Sequence, residues 1–312
     1  MRPANALPAE AQMEYLRQTI RAHEDWLENR PGGVRADLAG YTFNDITICN
    51  VNLRRAILRG ATFLDSDLSG ANLSGANLES CDFSQTTLTL ADFTGAVLDR
   101  AHFDGAYLTG ANFAEAQLHQ TSFRKAKLEE ARFLEASIES SDFSGAKLNL
   151  ASFHGARISD SSFRSADLTG AIFLRSRFQL SEFQGAEASG ANFSFAHLLG
   201  CDFTSAQIVL SRFQRADLSR SKFTHAVLRD DDFRDATLAG VEFGGSSLTG
   251  SRFANALTFT ADLRNANLAG ARELTSEQLC QARTAGTTVL PNGKYGPYMK
   301  NSGAERPASR VS

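Results

Sequence analysis

No run of eighteen apolar residues occurs in this 312-residue sequence, so it offers no transmembrane helix. The N-terminus lacks a basic-then-apolar secretory pattern, which makes the cytoplasm the expected compartment and removes a membrane from the expected partners. Four cysteines show no spacing of a disulfide framework or a zinc site. No Gly-rich phosphate loop stands between a strand and a helix. A net charge of −3 and the want of a basic groove with aromatic platforms argue against direct nucleic-acid binding. No cofactor is implied by any of these features.

What the sequence has is a ladder. From Leu38 to Leu268 a large apolar residue recurs at every fifth position, forty-seven in a row without insertion or deletion, and only Ala188 and Thr258 break it. Two residues before each stands a small one, usually Ala, as in Ala36-Asp37-Leu38, Ala71-Asn72-Leu73, Ala101-His102-Phe103 and Ala261-Asp262-Leu263.

A period of five fits neither common element. On an α-helix, at about 100° per residue, it smears the apolar residues around every face. On a flat strand an odd period throws successive ones to opposite sides. The chain must turn once per repeat. Placing the small and the large residue inward on a three-residue extended piece, with the next two residues as a corner, satisfies both constraints. Four corners close a square coil of twenty residues, and coils stack at about 4.8 Å. The fold class is an all-β solenoid of nearly twelve coils, roughly 55 Å long.

The A-(D/N)-L-x-x pattern, spelled out in Ala76-Asn77-Leu78, Ala166-Asp167-Leu168 and Ala266-Asn267-Leu268, resembles that of the pentapeptide-repeat family. The resemblance covers about three quarters of the chain and implies a right-handed quadrilateral β-helix, the hand coming from the family alone. Some members resemble B-form DNA in width and negative charge, bind type II topoisomerases such as DNA gyrase and protect them from antibiotic poisons. Some dimerise through the C-terminal end, so a monomer or an end-cap dimer is the expectation. His-x-x-Trp-Leu, at His23 to Leu27, looks like the leader segment of some members, and Thr288-Val289-Leu290-Pro291 resembles a tail after their repeats.

Residues 1–35 read as an N-terminal cap. The first seven look loose, and from Pro8 to about Asn29 the residues Met13, Leu16, Ile20, His23 and Leu27 define an amphipathic helix that Pro31-Gly32-Gly33 ends. Its apolar side, with Trp26, is expected over the open first coil. Residues 36–272 form the repeats and 273–299 a C-terminal cap, opened by the capping-box sequence Thr275-Ser276-Glu277-Gln278 with a short helix to about Arg283. Residues 300–312 read as a disordered tail.

Twenty-one of the 23 Phe residues lie on the ladder. From Phe83 they alternate with Leu or Ile, which puts Phe on two opposite walls and fills the centre, with Phe83, Phe103, Phe143, Phe178 and Phe203 among the core. Phe178 and Ala188 exchange a large for a small residue half a coil apart, which keeps the layer volume. Cys81 and Cys201 occupy small inward positions and cannot meet. Leu90, Leu150 and Leu210 sit at corners sixty residues apart, a candidate apolar edge.

A filled core leaves no concave catalytic site, so an enzyme is not expected. The histidines His102, His119, His154, His197 and His225 fall on different walls or coils, and no pair shares a metal. Asp230-Asp231-Asp232 with Asp235 is the one unusual acidic cluster. Asp231 falls inward there, and Arg229 and Arg234 are expected to pair locally. By coil, Asp82, Asp142, Glu182, Asp202, Glu242 and Asp262 line one acidic wall against Lys222 alone, while Arg157, Arg177 and His197 stack on another. Residues 36–272 hold 27 acids and 22 bases, in mixed faces. The expected function is a non-catalytic scaffold for a protein partner the sequence does not name. A DNA mimic acting on gyrase is the alternative, and a secreted effector recruiting a host protein is a further one.

Overall fold

The computed structural model describes residues 9–308, so the loose segment expected before Pro8 and the last four residues lie outside it. The chain divides into two compact units, one ending at Ser152 and the other beginning at Phe153. Both are β-solenoids, and among the described residues no helix is long and apolar enough to cross a membrane.

The first unit opens with helix α1 (Ala9–Leu27). Leu16 and His23 are fully buried. His23 ties the helix to the repeats at both ring nitrogens: Nδ1 accepts the Ala36 amide at 3.0 Å and Nε2 donates to the Arg54 carbonyl at 3.0 Å. Burial holds its pKa below the ordinary value, in keeping with a neutral ring. Trp26 stacks on the imidazole, and Tyr15 stacks on Tyr41, which stacks on Phe43. At Gly33 a Cβ would fall 2.3 Å from the Trp26 nitrogen, so only glycine fits where the chain doubles back.

Beyond the helix, the bridged residues of this unit pair in parallel with those twenty positions later. Thr42, Thr62, Asp82, His102, Ser122 and Asp142 form one column, and Asn52, Asn72, Asp92, Asn112, Arg132 and Ser152 another. Strands β1 (Gln117–His119) and β2 (Ser137–Glu139) pair in the same register. Elsewhere in the unit the extended piece shrinks from the expected three residues to a single bridged one, because turns close in on both sides. Inside, Phe43, Phe63, Phe83, Phe103, Phe123 and Phe143 stack at 4.8–5.5 Å, and Phe93, Phe113 and Phe133 stack beside them at 4.7–4.8 Å. The two stacks meet edge to face, for example Phe113 to Phe123 at 5.5 Å.

The second unit repeats the scheme. Strands β3 (Arg157–Ser159), β4 (Arg177–Gln179) and β5 (His197–Leu199) pair in sequence, as do β6 (Gln207–Val209) and β7 (Val227–Arg229). Phe163, Phe183 and Phe203 form one stack, and Phe173, Phe193 and Phe213 another. Phe178 sets its edge against Phe163, Phe173 and Phe183 at 5.3–5.9 Å, so it touches both stacks, while Ala188 is buried with only a methyl to contribute.

From Gly40 to Gly270 every fifth residue has φ between 49° and 72°, whether it is Gly, Leu, Arg or Glu. For a residue with a Cβ this left-handed corner costs about 1 kcal/mol. The pairing of the backbone and the buried rings offset it.

Helix α2 (Ser276–Gln281) has the expected capping box but ends before Arg283. Its insertion moves the register: Arg283 pairs with Asp262 and Val289 with Asn267, one and two residues beyond the usual twenty. Thr288 Oγ1 donates to the Leu263 carbonyl at 2.9 Å, so this segment continues the pairing instead of merely draping over it. Of the tail expected to be disordered, residues 300–308 are described and 309–312 lie outside the described residues. Residues 300–306 make turns and bends, the Asn292 amide donates to the Ala304 carbonyl, and the Tyr298 hydroxyl meets Glu305.

Candidate partner-binding faces

The inward positions leave only the outward columns for recognition. In the first unit Asp82 and Asp142 share a column with His102 and Ser122 between them. Their carboxylates are engaged locally: Asp82 Oδ1 accepts from Ser84 N at 2.9 Å and Ser84 Oγ at 2.6 Å, and Asp142 Oδ1 accepts from Ser144 N at 2.9 Å. Arg124 lies 3.7 Å from Asp142.

In the second unit Glu182, Asp202, Lys222, Glu242 and Asp262 follow one another in register. Arg164 clasps Glu182 with two bonds of 2.7 and 2.8 Å, Gln184 donates to Asp202 at 2.9 Å, and Arg264 holds Asp262 and lowers its pKa. Three of the six acids in the two columns therefore face an arginine. The columns exist, but their charge is largely answered on the same surface.

The motif acid or amide has a role that reading it as charge misses. Asn72 accepts from Ser74 N, Asp92 from Thr94 N, Asp202 from Thr204 N and Asn267 from Ala269 N, each at 2.9–3.0 Å. A short side-chain acceptor two residues before a corner amide is an Asx turn, which explains the (D/N) of the repeat. The signal was in the motif itself.

Leu90, Leu150 and Leu210 stand at left-handed corners, 70%, 60% and 67% exposed. In the first unit Gly110 and Glu130 occupy the coils between Leu90 and Leu150, with Leu90 Cδ2 folded over Gly110, so these leucines are separate knobs and make no strip. Cys81 and Cys201 are buried, which pushes each thiol up to about 12, and the Cys81 thiol donates to the Leu58 carbonyl at 2.8 Å.

At the acidic cluster, Arg234 binds Asp232, Arg272 reaches Asp230 at 3.4 Å and Arg215 lies 3.9 Å from Asp235. The expected part of Arg234 holds. That of Arg229 passes to Arg215, one coil from Asp235, and Arg272, about two coils from Asp230. Asp231 meets no arginine. Burial raises its pKa well above the ordinary value, against the one amide bond it accepts from Ser211 at 2.7 Å. Among the described residues no three His, Cys, Asp or Glu side chains come together as metal ligands.

A family model of the pentapeptide repeat region matches residues 36–113, 97–173 and 176–253. The chain belongs to the pentapeptide-repeat family. Among solved pentapeptide-repeat structures it is similar to HetL, involved in heterocyst differentiation regulation, from the cyanobacterium Nostoc sp. strain PCC 7120, with 23% identity, 88% of this chain and 97% of that chain covered, and a TM-score of 0.29. It is also similar to a trypsin-treated variant of QnrB1, a plasmid-mediated fluoroquinolone resistance protein, with 22% identity, 57% and 91% covered, and a TM-score of 0.27. Such scores carry no argument about partner. No similar sequence was found among curated proteins.

Proposed function

We propose that this pentapeptide-repeat protein is a non-catalytic scaffold of the cytoplasm that binds a protein partner through the outward columns of right-handed, four-sided coils. The supporting observation is the division of labour within each repeat. Inward positions are taken by stacked rings, aliphatics, methyls and small hydroxyls or thiols, with Asp231 the one carboxylate among the described residues, so the charged residues otherwise point outward. The test is affinity capture with the immobilised chain, using a Phe143→Asp, Phe193→Asp double variant, with one core charge in each unit, as the unfolded control. Proteins retained by the wild type and not by the control support the reading; equal retention by both sinks it.

The DNA-mimic reading is favoured by one observation, the in-register Glu182 and Asp202. Against it stand Arg164, Arg264 and Lys222 on or beside the same column. A gyrase supercoiling assay separates the two readings. The variant for it carries Asp82→Asn, Asp142→Asn, Glu182→Gln and Asp202→Asn, which keep the acceptor oxygens and remove the charge. Inhibition or protection by the wild type that this variant loses favours mimicry; no effect of the wild type leaves the scaffold.

A further inference from the structure

Two arginines and a histidine stand in register on the outer face of β3, β4 and β5. Arg157 and Arg177 are direct Cα partners, and so are Arg177 and His197, and all three side chains are exposed. Their positions rise in steps of about 4.8 Å. Arg175, exposed at the corner before β4, adds a further charge. Like charges directly opposite one another on a sheet repel.

Elsewhere in this unit such repulsion is answered. Glu182 and Asp202 have Arg164 and Gln184, and the column of Arg212, Asp232 and Arg252 alternates in sign. Among the described residues, no carboxylate comes within ion-pair distance of Arg157, Arg175 or Arg177. The nearby acids by position are Asp160 at the corner after β3 and Asp217, paired in the backbone with His197.

The margins of this face carry exposed apolar groups beside Arg175 and Asp160. Leu180 is 57% exposed and Leu199 44%, and Leu180 Cδ2 lies 3.2 Å from where a Cβ on Gly200 would be, which sets it on the coil of Leu199. Phe195 is exposed at the opposite corner, with the Arg215 guanidinium 5.6 Å from its ring centre.

We infer that this face docks an amphipathic helix of a protein partner, whose acidic stripe meets Arg157, Arg177 and His197 and whose adjoining apolar stripe covers Leu180 and Leu199. The proposal rests on the scaffold reading and names the chemistry of its partner. A helix laid across the strands presents one side chain per turn at about 5.4 Å, close to the spacing of the column, so Glu at successive turns can pair with the two arginines and hydrogen-bond to the histidine. Nucleic acid fits less well. The chain is net acidic, the apolar groups are mainly leucines, and the one ring, Phe195, lies under a guanidinium.

The test is fluorescence anisotropy with the full chain and a labelled helical peptide carrying Glu on successive turns beside a Leu stripe. Its comparisons are the same peptide with Gln for Glu, a scrambled peptide and a DNA duplex. Saturable binding is expected, weakened about tenfold or more by Arg157→Gln with Arg177→Gln, by the Gln peptide and by high salt. Leu180→Ser with Leu199→Ser is expected to weaken it independently. All four positions are exposed, and circular dichroism checks that the variants fold. No saturable binding, equal binding of the Gln or scrambled peptide, indifference to the arginine pair, or tighter binding of the duplex would each overturn the inference. These results leave the scaffold reading intact if the capture experiment retains the same proteins with the arginine variant; capture of nothing by the wild type is the failure of that reading.

Discussion

The Ser211 amide donates to Oδ1 of Asp231, twenty residues further along the chain, while Oδ2 of Asp231 is buried without a hydrogen-bond partner. Hydroxyls at equivalent inward positions donate to the carbonyl twenty-three residues earlier: Ser211 to Ala188 and Ser251 to Leu228, both at 2.7 Å. The same offset from Asp231 falls on the carbonyl of Ile208.

Asp231 is therefore expected to cost stability as pH rises. Unfolded, it ionises near 3.8; folded, burial holds the proton well above that. Between the two values the unfolded state has lost its proton and the native state has not, so stability falls by about 1.4 kcal/mol per pH unit. Asp231→Ser, which supplies the usual hydroxyl, should raise stability at pH 7 by about 1–3 kcal/mol, with a smaller gain at pH 4. Urea midpoints of the two proteins at both pH values check this. A gain independent of pH would assign the effect to packing.

His23 titrates with the opposite sign. Its folded pKa lies below the unfolded 6.5, so its contribution is complete above 6.5 and is lost as pH falls from there through the folded value. His23→Leu leaves the Ala36 amide and the Arg54 carbonyl without their partner and should cost about 2–4 kcal/mol at pH 7 while removing that part of the acid sensitivity. Thermal melts between pH 5 and 8 read both effects.

Phe143 stacks on Phe123 at 4.8 Å and meets Phe133 edge-on at 5.7 Å, with no exposed surface. Phe143→Asp should unfold the first unit at neutral pH, since burying an uncompensated carboxylate adds several kcal/mol to the lost packing. Retention of the β signal with an unchanged melting point would contradict the filled core.

Asn72 Oδ1 accepts both the amide of Ser74 at 3.0 Å and its hydroxyl at 2.7 Å. Asn72→Ala should cost about 1 kcal/mol, and Asn72→Asp, which keeps the acceptor, much less. Denaturant midpoints that rank the two variants the other way would remove the Asx turn as the reason for the motif residue.

The pairing was legible in the sequence because one period governs it: five residues per corner make Asp82 pair with Thr62 and His102 wherever the rule is unbroken. The left-handed corners were legible only at glycine. Leu90, Arg175 and Glu130 adopt the same φ because the backbone pairing on either side outweighs a local preference of about 1 kcal/mol. The balance of the acidic columns was hidden in a diagonal. Arg164 to Glu182, Gln184 to Asp202 and Gln214 to Asp232 each span eighteen residues, from a corner on one coil to the bridged position of the next. Reading acids down a single column misses it. The rejoining of Val289 to Asn267 was illegible because helix α2 breaks the count.

A pairing step of twenty residues also constrains how such a chain can change length. An insertion of five residues would carry every later outward side chain into the neighbouring column, and Arg177 would no longer stand over Arg157. An insertion of one whole coil would leave each face with the side chains it had, merely further along. Lengthening by whole coils is thus the route that spares recognition, and a frameless insertion anywhere between two paired cations erases it.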